Sequence, residues 1–203
     1  MSESDQTPSY VAKGQEFERD MTYISDRITR DGRRPEEGPG SQGEPGVELW
    51  PVEPGRYRLV AAKACPWANR SIIVRNLLGL EDVISWGAPG PTHDVRSWTF
   101  DLDPDGLDPV LGIHFLKDAY EARFPGYPRG ITVPAVVEVA TGRVVTNDFP
   151  WITHDLFFEW REHHRPDAPD LWPTDLREEM EQVMRRVFTE VNNGVYRCGF
   201  AGS

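Results

Sequence analysis

The sequence predicts an α/β fold, a sheet with helices packed on both faces, and three observations carry that prediction. Segments of strand and helix character alternate in the order β-α-β-α-β-β-α through the middle of the chain. The first strand runs straight into a Cys65-Pro66 pair that opens a helix. A second proline, in Val133-Pro134, opens a strand far downstream.

Taken in order, residues 1–54 read as an N-terminal arm: a short amphipathic stretch near Glu16 to Ile28, then DGRRPEEGPGSQGEPG, dense in Gly and Pro and without periodicity. From Arg56, RYRLVAAKA reads as a buried strand, and CPWANRSIIVRNLLGLE follows at once with Ile72, Ile73, Leu77 and Leu78 at helical spacing. Val83 to Trp86 is a second short strand. The loop from Gly87 to Asp108 is long enough to suggest a function or an insertion, and Gly112 to Phe124 is helical in period. ITVPAVVEVA and GRVVTND are two strands joined by a Thr-Gly turn, and Pro150 to His163 is a helix capped by Asn147 or Asp148. This order is the thioredoxin arrangement, and it places a thioredoxin-like domain over residues 55–165. After a Pro- and Asp-rich linker, Leu176, Met180, Val183, Met184, Val187 and Val191 fall on one face of a further helix, which needs a partner.

Composition narrows the function. The 203 residues hold 22 Lys and Arg against 33 Asp and Glu, a net charge of −11, with no basic block for phosphate backbones or anionic lipid. Nucleic acid and membrane surfaces are therefore not expected partners. No apolar run approaches the roughly 18 residues of a membrane span, and the first residues lack the basic-then-apolar order of a signal peptide, so a cytoplasmic location is expected. The two cysteines, Cys65 and Cys198, read as thiols in that compartment. No metal is expected: His114 and His163-His164 lack partners at ligand spacing. The calcium-loop-like run from Asp101 to Gly106 has Gly112 where a bidentate Glu is needed.

Cys65 is the residue on which chemistry would turn. At a strand-helix junction its sulfur meets the unsatisfied N–H groups of the first helical turn, which favour the thiolate and make a nucleophile at neutral pH. Arg70 can add positive potential. The opposing reading is a buried, inert core cysteine. Val133-Pro134 argues against it, because in thioredoxin-like folds this peptide bond is cis, lies beside the active cysteine, and lets the preceding backbone pair with a bound thiol compound. Ala68 stands where a dithiol oxidoreductase carries its second cysteine, so an external low-molecular-weight thiol must resolve any mixed disulfide at Cys65. Cys198 either packs or lines the pocket as a resolving thiol.

The segments RDMTYISDRIT, ACPWANR, SWTF, ITVPAVVE and NNGVYRCGFA resemble the glutathionyl-hydroquinone reductases, or xi-class glutathione transferases, over roughly Phe17 to Ala201. The resemblance implies a cytoplasmic homodimer with a thioredoxin-like N-terminal domain and an all-helical C-terminal domain, of which residues 166–203 would be the start. It implies that Cys65 attacks the sulfur of a thiol adduct on a hydroquinone. Trp98, Val133 and Pro134 would hold the thiol, and Tyr196 would lie against the quinol ring. The family's Ser-Asn-Glu-Ser, which receives the γ-glutamyl end of glutathione, is here Thr146-Asn147-Asp148-Phe149. Asp148 can meet an ammonium group, but Phe149 has no hydroxyl for a carboxylate. The expected cosubstrate is thus glutathione or a thiol without a γ-glutamyl group, mycothiol first. Two alternatives stay open: a transferase that conjugates a thiol to electrophiles, and a catalytically inactive thioredoxin-fold binding module.

Overall fold

The computed structural model describes residues 19–91, 93–94 and 97–201. In chain order the elements are β1 (Arg27–Thr29), β2 (Leu49–Pro51), β3 (Tyr57–Val60), α1 (Pro66–Leu77), β4 (Ser85–Gly87), β5 (His93–Asp94), β6 (Ser97–Trp98), α2 (Leu116–Arg123), β7 (Ala135–Glu138), β8 (Val144–Thr146), α3 (Phe149–Phe158), α4 (Arg177–Arg186) and α5 (Asn193–Gly199). They fall into two compact units, Tyr23–Pro169 and a second of Met1–Thr22 with Asp170–Ser203, of which 19–22 and 170–201 are described.

The first unit holds a four-stranded sheet in the order β4-β3-β7-β8. β3 pairs parallel with β4 and antiparallel with β7, and β7 pairs antiparallel with β8. All four residues of β3 and of β7 are buried, as interior strands require. α1 and α3 pack against each other, and α2 lies against β8. This is the thioredoxin-like sheet that the element order predicts, with α1, α2 and α3 at the positions read from periodicity and each a few residues shorter. The core centres on Tyr57, Leu59, Leu78, Leu80, Phe100, Leu116, Tyr120 and Trp160, all fully buried.

The arm of the sequence reading is structured from Tyr23 onward and belongs to the same unit. β1 and β2 pair in parallel, Arg27 opposite Leu49 and Thr29 opposite Pro51. Ile24 and Ser25 run along β8: Asn147 N–H and the Thr146 hydroxyl both donate to the Ile24 carbonyl, and Ile24 N–H donates to Asn147 Oδ1 at 2.8 Å. This segment escaped periodicity because charged residues, Asp26 and Arg27, stand between its buried Ile24 and Ile28. Arg27 is 0% exposed and Asp26 2%. Arg27 Nε donates to both Asp155 carboxylate oxygens, at 3.0 and 2.9 Å, and its Nη1 donates to the Glu37 carbonyl at 2.9 Å. Asp155 also accepts Ile28 N–H at 3.2 Å. A second buried pair, Arg58 with Asp108, spans 2.9 Å at the base of the long loop. A Cβ on Gly87 would stand 2.6 Å from that carboxylate, so the position has room only for glycine.

In the second unit, α4 passes through a π-helical stretch, Val187–Asn192, into α5. Leu176, Val183, Val187 and Val191, on the apolar face anticipated from the sequence, are exposed. Among the described residues no helix is long and apolar enough to cross a membrane.

Removing one member of a fully buried, hydrogen-bonded ion pair leaves the other charge without compensation, which costs about 3–5 kcal/mol. Asp155→Ala is therefore expected to lower unfolding stability by about that amount, read from the urea midpoint. An unchanged midpoint would show that the pair does not hold β1 to α3.

Candidate active site

β3 continues into Ala61 and Ala62, both fully buried. Ala61 N–H donates to the Gly87 carbonyl at 3.0 Å and its carbonyl accepts Trp86 Nε1–H at 2.8 Å, so β4 fixes the strand end. Two exposed residues, Lys63 and Ala64, then lead to Cys65, half-buried at the N-cap of α1 with Pro66 at the first helical position. Cys65 N–H donates to Ala62 and its carbonyl accepts Asn69 N–H, which seats the residue at the helix mouth. The Val133–Pro134 peptide is cis, as expected, and the Val133 carbonyl lies 3.7 Å from Cys65 Sγ, within reach of the thiol proton. Two influences meet at the sulfur. The carbonyl holds the neutral thiol, while the positive end of α1 favours the thiolate. Arg70 is half-buried on α1, and burial pushes its guanidinium below its ordinary value. Cys65 and Cys198 form no disulfide, and Ala68 is buried in α1.

The mouth of α3 lies beside the mouth of α1. Trp67, two residues past Cys65, meets Phe149 edge-on at 4.7 Å between ring centroids, and Tyr23 closes on Phe149 from the other side at 5.9 Å. Phe149 is the first residue of α3, so the aromatic at the position of the family's serine is built into the wall. Asp148, the N-cap of α3, is buried and accepts the Ser25 hydroxyl at 2.7 Å. Burial pushes its carboxyl above the ordinary range, and the Ser25 bond and the Arg27 charge partly oppose the shift. Asn147 supports the turn by donating to Thr132 Oγ1 at 2.8 Å, which ties the α3 mouth to the segment before Pro134.

The structure thus brings together Cys65, Val133 and Pro134, and places Asp148 at the adjoining helix mouth. Trp98 lies in the long loop, on the two-residue ladder β5-β6, where its backbone pairs with that of His93. Ser97 before it has φ of 105°, a strained value for a side-chain-bearing residue that fixes how Trp98 is presented. Tyr196 belongs to the second unit, on α5. Sequence reasoning missed Tyr23 and Ser25. Tyr23-Ile24-Ser25-Asp26, two apolar residues followed by two polar ones, carries no strand period, so the sequence holds no signal for them. Among the described residues no group of three or more His, Cys, Asp or Glu side chains is placed to hold a metal.

Comparison with known proteins gives this geometry a family. Residues 64–156 match the glutathione S-transferase N-terminal domain. The chain is 35% identical over 153 residues to the glutathionyl-hydroquinone reductase PcpF of Sphingobium chlorophenolicum, covering 73% of this chain and 48% of that protein. A solved glutathione transferase from Gordonia bronchialis is 65% identical, with a TM-score of 0.80 over 90% of this chain and 52% of its own. The xi glutathione transferase of Phanerochaete chrysosporium is 31% identical, with a TM-score of 0.76 over 93% of this chain and 57% of its own. The chain spans between about half and three fifths of the length of the curated relatives it matches first.

Asp148 offers a test of this electrostatic picture. Its folded carboxyl has a raised pKa, so the folded state binds the proton more tightly than the unfolded state, and the carboxylate costs stability as pH rises from the ordinary carboxylate range through the folded value. Asp148→Asn, whose amide oxygen can still accept the Ser25 hydroxyl, is expected to melt at or above the parent at pH 7. The difference should shrink on acidification below about pH 4. A variant that melts lower at pH 7 and converges at no pH would mean that the charge is stabilised in place.

Proposed function

Because the chain belongs to the glutathione S-transferase family, alongside its glutathionyl-hydroquinone reductases and xi-class members, we propose that it is a thiol-dependent reductase of conjugated hydroquinones acting through a Cys65 mixed disulfide. The observation that carries this reading is the half-buried Cys65 thiol at a helix mouth, 3.7 Å from the carbonyl of a cis Val133–Pro134 turn, with Ala68 in place of a resolving cysteine.

The chemistry runs in two displacements. Cys65 thiolate attacks the sulfur of the thioether, the sulfur–carbon bond breaks, and the ring carbon leaves with the electron pair and takes a proton, giving the free hydroquinone. The sulfurs of Cys65 and the former adduct are now joined. A second thiol, as thiolate, attacks the adduct sulfur, releases Cys65 as thiolate and departs as a symmetrical disulfide. The ring carbon gains two electrons, one from the thioether sulfur and one from the sulfur of the second thiol, which end joined in the disulfide. Ala68 makes the second displacement intermolecular.

In this reading the Val133 backbone, Pro134 and Trp98 hold the thiol, Asp148 receives its polar end, and Tyr196, matched by motif, serves the quinol ring, its aromatic face and hydroxyl suited to that leaving group. The cosubstrate is glutathione or mycothiol, and the α3 mouth favours the second. An anion at a helix start relies on free N–H groups and hydroxyls. Here Phe149 brings a ring packed on Trp67 and Tyr23, and Pro150 brings no N–H. What remains is a buried carboxylate with a serine hydroxyl beside it, which suits an amine or hydroxyl-rich group better than a carboxylate. The assembly proposed is a cytoplasmic homodimer.

Cys65→Ala is expected to abolish release of hydroquinone from its thiol conjugate. The parent, mixed with conjugate and no free thiol, should gain the mass of one thiol group and lose it on adding thiol. Full turnover by Cys65→Ala would instead make the chain a transferase that activates the cosubstrate's own sulfur. Phe149→Ser should lower KM for glutathione several-fold and leave that for mycothiol unchanged or raised. An unchanged preference would remove Phe149 as the specificity element.

A further inference from the structure

Two of the segments that carry the family resemblance, RDMTY near the start and NNGVY near the end, meet in the second unit. Arg19 Nε donates to Asn193 Oδ1 at 3.0 Å, across 174 residues of sequence. Its guanidinium carbon lies over the ring of Tyr196 at 4.7 Å from the centroid. Asn193 and Tyr196 are three residues apart on α5 and so share one face of the helix. The stretch just before them, Val187–Asn192, is π-helical, a local register change that recurs at functional sites and sets the direction in which this face points.

We propose that Arg19 is a positioning residue for Tyr196, an inference that rests on the assignment of Tyr196 to the quinol ring. Tyr196 is half-buried on α5, with the Phe200 ring 6.2 Å away between centroids. A planar guanidinium stacked on one face fixes the ring plane, and the Asn193 bond fixes the guanidinium in turn. The ring and its hydroxyl are then held in one orientation for an aromatic leaving group. The charge adds positive potential beside a ring that must accept electron density when its bond to sulfur breaks. Arg19 thereby links the N-terminal segment to turnover, although no part of the first thirty residues belongs to the matched domain.

The test is a double-mutant cycle in the full chain: Arg19→Ala, Tyr196→Ala and both together, with Arg19→Gln as a variant that keeps a donor to Asn193 but not the charge. The reaction followed is hydroquinone release from its glutathione conjugate, with kcat and KM separated and melting recorded in parallel. Arg19→Ala is expected to lower kcat about tenfold, equivalent to about 1.4 kcal/mol, with little change in the KM of the free thiol. In the Tyr196→Ala background the same change should cost less than twofold. Arg19→Gln, should Arg19→Ala melt near the assay temperature, is expected to show the same dependence on Tyr196 with a smaller loss. Equal losses in both backgrounds, or a lower melting temperature with unchanged kcat, would overturn the inference while leaving the reductase reading intact. Absence of turnover in the parent would overturn both.

Discussion

The Arg27–Asp155 pair is the constraint on which the rest of the first unit depends. A guanidinium with no exposure is tolerable only if its donors are met, and here both carboxylate oxygens of Asp155 and the Glu37 carbonyl meet them. The same carboxylate accepts the backbone of Ile28, so α3 is fastened to β1 by main chain and side chain at once. With α3 so fixed, its first turn lies beside α1, and Asp148 and Phe149 become parts of the wall next to Cys65. The apolar packing of Tyr57, Leu156 and Trp160 adds burial around it, but it is not directional. The ion pair supplies the direction.

How far the sequence could be read follows from which interactions are local. Cys65, Pro66 and the helix after them are legible because strand, cap and helix are neighbours in the chain. Val133-Pro134 is legible because a proline at the start of an apolar run has few meanings. β1 and β2 were not legible. The buried residues in and just before β1 include Asp26, Arg27 and Thr29, and a charged residue is buried only when a partner arrives, in this case from residues 123 and 155. The same holds for Arg58, whose partner Asp108 lies in the loop that looked most irregular. The polar wall beside the thiol was half legible: Asp148 could be matched by motif, while Ser25, its hydrogen-bond partner, stood in a segment that read as an arm.

The site combines two kinds of precision. At Cys65 the geometry comes from regular structure: a strand end held by β4 and a helix start with its proline. At the α3 mouth it comes from the N-terminal segment, whose Tyr23 and Ser25 touch Phe149 and Asp148 directly. The surroundings of the Cys65 thiol are thus set by the strand and helix of the thioredoxin-like sheet. The wall at the α3 mouth is set in part by residues that the N-terminal segment brings in.

The span of the Arg27–Asp155 bond also governs the order in which the protein can be made. Its members are 128 residues apart. A ribosome adding about 5–20 residues per second needs roughly 6 to 26 seconds to deliver Asp155 after Arg27. Through that interval Arg27 lacks its carboxylate, while Arg123 and then β8 become available to Asp26 and Ile24. The wall at the α3 mouth is therefore completed after the strand and helix that carry Cys65 are available. A nascent chain halted before α3 would present Cys65 at its helix mouth without Phe149 beside Trp67.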